Sequence, residues 1–81
     1  MAVPHASSGT PVDVQPFGTL LAGARTTALC KARDLEVIRL VLPAGKALRE
    51  HTVPGDITIQ CIEGRIDVTA GGASHVLGAG Q

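Results

Sequence analysis

Aromatic side chains are almost missing from this chain: Phe17 stands alone, with no Trp and no Tyr. That excludes the stacking platforms on which exposed nucleic-acid bases are held, and it leaves any interior to Val, Ile, Leu and Ala. An excess of charge is missing too. Seven basic residues face seven acidic ones, giving a formal net charge of zero and a pI near 6.8. Neither nucleic acid nor an anionic membrane surface has an electrostatic footprint here, so neither is expected as a partner. Cysteine is scarce. Cys30 and Cys61 are too few for the disulfide framework of a small secreted domain, and they do not form the close pair of a zinc or redox motif. Both read as buried free thiols. No apolar run approaches the roughly 18 residues of a membrane span. Residues 1–10 also lack the basic and apolar regions of a secretory signal. A cytoplasmic protein is the expectation.

What the chain does have is hydrophobic residues at 44%, broken into short lengths by ten glycines and five prolines. Its 81 residues allow one domain at most, and a domain of this size buries only about 60% of the surface its unfolded chain exposes. A stretch unable to join the core is therefore expected to stay mobile, because ordering each backbone residue costs about 1–2 kcal/mol. Residues 1–24 fit that description. They are rich in Ala, Ser, Pro and Gly, show neither hydrophobic period, and carry Pro4, Pro11 and Pro16. They read as a flexible N-terminal arm, with a short helical turn over Phe17–Ala24 where Leu20 and Leu21 can dock.

Residues 25–81 change character. Short β-branched and aliphatic segments alternate with Gly and Pro, the punctuation of strands. Strands are expected over 26–31, 35–42, 47–53, 56–63, 65–70 and 73–77. The sequence DITIQCIE at 56–63 alternates, so that Ile57, Ile59 and Cys61 share one face of a strand. Pro54-Gly55 suits the centre of a type II turn. Gly71-Gly72 suits a two-residue hairpin turn whose residues both need positive φ. Close-spaced short strands with almost no helix imply an all-β sandwich or barrel.

Several of these residues carry a family likeness. Gly45, His51 and Gly64 have the spacing of the first glycine, first histidine and last glycine of a motif that runs Gly, five residues, His, one residue, His, three or four residues, Glu, six residues, Gly. Pro43, the Ile62-Glu63-Gly64 turn and Leu77-Gly78-Ala79-Gly80 fit as well. From Val37 to Gln81 the sequence resembles the cupin superfamily. The resemblance implies an antiparallel, jelly-roll-like cupin barrel over 25–81. That barrel is expected to be incomplete at the C-terminus, since Gly80 stands where the second motif of the family begins.

In that motif the glycines are steric requirements of turns, whereas the two histidines and the glutamate hold a metal. Counting from His51 places Val53 at the second histidine and Ile57 at the glutamate. Hydrocarbon cannot donate a lone pair to a cation, and one imidazole alone is a weak site. Asp56 and Glu50 are each one residue out of phase, so strand alternation turns them to the opposite face. The expectation is a non-catalytic protein without a cofactor, which binds a small organic ligand in a mainly apolar pocket lined by His51, Val53, Ile57, Ile59 and Cys61. Two alternatives stand beside it. One is a metal-dependent cupin enzyme of dioxygenase or isomerase type, with a divalent metal on His51 and further ligands. The other is a structural module that forms a homodimer through its sheet edges. His75 reads as a solvent-facing strand residue. Arg39, Arg49 and Arg65 read as solvated strand positions, with carboxylate binding as another use of a guanidinium.

Overall fold

A computed structural model describes residues 5–50 and 52–81; residues 1–4 of the expected arm, and His51, lie outside the described residues. The described chain is all-β in class. It has two small antiparallel sheets of two strands each and one 3-10 helix, Gly18–Gly23. These belong to two compact units. The first is built on Phe17–Arg49 with the segment leading up to Asp13, the second on Glu50–Gln81 with Val14–Pro16.

In the first unit, the 3-10 helix opens where the N–H of Leu20 reaches the carbonyl of Phe17 at 3.1 Å and closes where Ala24 reaches Leu21 at 3.0 Å. Bonds three residues apart are the mark of this tighter helix, and Gly18 and Gly23 at its two ends keep it from lengthening. Strand β1, Thr27–Lys31, then pairs with β2, Glu36–Arg39. Their loop is turned at Arg33-Asp34, with the Ala32 N–H bonded to the Leu35 carbonyl at 2.7 Å. Among the described residues no non-glycine takes positive φ, so this loop is not the type I′ turn whose twist matches paired strands. The ladder above it is irregular. Its register slips between Ala28 and Cys30 and leaves Leu29 without a partner in β2, the signature of a β-bulge. The Leu29 carbonyl accepts instead from the N–H of Ala6 at 2.8 Å, which brings the N-terminal segment alongside β1. Beyond Arg39 a side chain continues the pairing, as the Val41 N–H donates to Thr26 Oγ1 at 2.9 Å. The Lys31–Glu36 pair across the strand ends is long, at 4.0 Å, and solvated, so it contributes little.

The second unit is more regular. Strands β3, Arg65–Ala70, and β4, Ala73–Gly78, pair without a slip from Arg65↔Gly78 to Ala70↔Ala73. The turn is Gly71-Gly72 with φ of 59° and 80°, as the glycine pair requires. Ile66, Val68 and Leu77 turn to the half-buried side, while Arg65, Asp67 and Thr69 are exposed. On that exposed side the Thr69 and Ser74 hydroxyls share a hydrogen bond of 2.7 Å.

Two expected strands are not formed. Among the described residues of 47–53 and 56–63 there is no strand. Alternation sets which face a side chain would occupy, but a strand exists only where another chain segment completes its hydrogen bonds, and among the described residues no strand pairs with these segments, Cys61 alone being bonded to the chain at Gly80 and Gln81. At 53–55 the expected type II turn is replaced by a tighter one, in which the Gly55 N–H bonds the Val53 carbonyl at 3.0 Å. An i to i+2 bond of this kind is a γ-turn.

Candidate functional site

The residues expected to line a pocket have contrasting surroundings. Val53, Ile57 and Ile59 are exposed at 41%, 64% and 48%. Cys61, at 3%, is the one buried apolar residue among the described residues. Its backbone explains the burial. The Cys61 N–H donates to the Gln81 carbonyl and its carbonyl accepts from the Gly80 N–H, each at 2.7 Å, so the chain after β4 lies against the chain before β3. The thiol points into the turn that follows it, with Sγ 3.4 Å from the Glu63 carbonyl and 3.7 Å from that of Gly64. The clasp is tightened by Gln81, whose Oε1 accepts from the Gly78 N–H at 2.8 Å. Cys61 is thus a packed thiol in a clasp of backbone bonds. No described group of three His, Cys, Asp or Glu is arranged to hold a metal ion. His75 is exposed, opposite Val68 on the β3–β4 ladder.

The first unit holds a different feature, a solvent-open cavity of about 390 Å³. Its apolar wall comes from Val12, Phe17, Ala24 and Leu29. Its polar rim comes from Asp13, Arg25, Thr27 and Arg39. Local structure accounts for both. The bulge turns Leu29 out of strict alternation, the 3-10 helix begins at the shoulder formed by Phe17, and Thr27 pairs directly with Arg39 across the ladder. The Arg39 guanidinium lies over the Phe17 ring at 3.8 Å from its centroid, a cation–π contact. Arg39 is accordingly half-buried rather than a solvated strand residue.

No family model matches this chain, and no curated protein or solved structure matches it.

Sequence reasoning missed the cavity because its lining is drawn from three separated stretches, at 12–17, 24–29 and 39. One signal was available. A lone aromatic in an aliphatic chain is the best surface on which an arginine can stack.

Proposed function

We propose that this chain is an association module: a portion of a cupin-like β fold that completes its sheets with strands of a second copy. One observation carries the reading. Among the described residues each sheet has two strands, while Leu35, Val37, Ile38, Leu40 and Leu42 in the first unit and Val53, Ile57, Ile59 and Val76 in the second all remain exposed. A two-stranded hairpin is at best marginally stable in water. Unpaired edges next to exposed aliphatic side chains are a template for further strands. The charge balance favours a copy of the same chain as the partner, since at a net charge of zero no long-range repulsion opposes self-association. The segment at 56–63, with its alternating pattern, is the natural strand to be added by pairing of this kind.

Light scattering on purified protein over a dilution series tests the proposal. A dimer that dissociates on dilution, with loss of β signal in circular dichroism, is the expected result. A monomer that stays folded and unfolds cooperatively at every concentration would overturn it.

A second reading is favoured by the hydrocarbon character of Val53, Ile57 and Ile59. Once covered by added strands, these residues and His51 would wall a pocket for a small apolar ligand, in keeping with the cupin resemblance and with a non-catalytic role. Two free thiols suit a cytoplasmic setting for such a protein. Stoichiometric Fe, Mn, Ni or Zn that is lost in His51→Ala would instead favour the metal-dependent enzyme.

A further inference from the structure

We infer that the cavity of the first unit is a binding site for a small organic anion, a carboxylate carried on a short apolar body. The inference does not depend on self-association, because every lining residue belongs to the first unit.

Size, charge and shape agree on this ligand class. A volume of about 390 Å³ lies at the lower end of the range for small-molecule sites, about 300–1,000 Å³. The charged lining is two guanidiniums, Arg25 and Arg39, against one carboxylate, Asp13. The lining carries one positive charge in excess, in a protein whose net charge is zero. Arg25 is exposed and forms no ion pair among the described residues.

Arg39 is held in place rather than waving in solvent. Its stack on Phe17 engages the face of the guanidinium and fixes the side chain at the rim of the cavity. The same ring therefore fixes the cation and offers its remaining surface, with Val12, Ala24 and Leu29, to the apolar body of a ligand. Thr27 adds a hydroxyl that can donate to the second carboxylate oxygen. An anion without a hydrocarbon part would leave the apolar wall unused, and an uncharged hydrocarbon would leave the Arg25 guanidinium without an ion-pair partner.

The test uses the full chain, isotope-labelled for amide NMR and titrated with hexanoate, with 1-hexanol and hexylamine as probes of equal length. Hexanoate is expected to shift amides between residues 12 and 29 and near Arg39 in a saturable way. The alcohol should bind at least about tenfold more weakly, since a charge-assisted hydrogen bond is worth that much, and the amine should leave these amides in place. Arg25→Gln removes a charge from the exposed rim. It should weaken hexanoate by about two- to fivefold while the β1–β2 amide pattern is retained. Phe17→Leu keeps an apolar wall but removes the platform beneath Arg39, and should weaken hexanoate also. Equal shifts from the alcohol, shifts confined to the second unit, no saturation, or undiminished binding by Arg25→Gln would each overturn the site.

Discussion

Gly72 shows how much a single backbone angle can govern. At φ of 80° it sits in the left-handed region, yet a Cβ built there meets nothing within 4 Å. Any cost of Gly72→Ala is therefore conformational and not steric crowding, about 1–2 kcal/mol for an L-residue in this region. The expected result is a lower unfolding midpoint for the L-alanine variant, read by thermal or urea denaturation. A chemically synthesised chain with D-alanine at the same position should recover the midpoint, because its mirror-image preference suits positive φ. Failure of the D-residue to recover it would mean that contacts of the turn, not its dihedral angle, set the cost. Phe17 and Arg39 illustrate the opposite limit of legibility. Neither identity nor spacing announces that residues 22 positions apart will stack, since their meeting depends on the bend of the 3-10 helix and on the pairing of Thr27 with Arg39.

At the scale of elements, what could be read depended on whether an element is completed locally. The β3–β4 hairpin carries its instructions within fourteen consecutive residues, Arg65–Gly78: alternating Ile66 and Val68, then two glycines with the required φ, then the return strand. The β1–β2 pair was also legible, although shorter, because the 35–42 run becomes a ladder only over Glu36–Arg39. The bulge at Leu29 had no sequence signal. The segments at 47–53 and 56–63 have strand-like patterns but, among the described residues, no partner strand, and pattern alone does not close a hydrogen bond. Hydrogen exchange should separate these cases. Amides of Arg65–Ala70 and Ala73–Gly78 engaged in the ladder are expected to be protected at all concentrations at which the unit is folded. Amides at 57–60 should exchange freely in dilute protein and gain protection as concentration rises. Fast exchange at 57–60 at every concentration would count against this segment as the added strand.

For the whole molecule, the decisive quantity is how little is buried. Among the described residues only Cys61 qualifies as buried, and no buried polar side chain is found. In the proposed dimer, further aliphatic contact would be gained from association, and association of this kind responds to salt in a characteristic direction. Sodium sulfate, which favours burial of apolar surface, should raise the thermal midpoint and push the dimer to lower concentration, while sodium chloride at matched ionic strength should do much less. If both salts weakened the dimer equally, charge pairing would be the driving force instead.

The slip at Leu29 has one more effect. By inserting an unmatched residue into β1, it leaves a carbonyl that the Ala6 N–H takes up, so a segment more than twenty positions upstream is tethered by a flaw in the ladder. A nick between these two points would release the tether without touching either strand. The freed acceptor would then offer the first rung to whichever extended chain arrived next, kin or stranger.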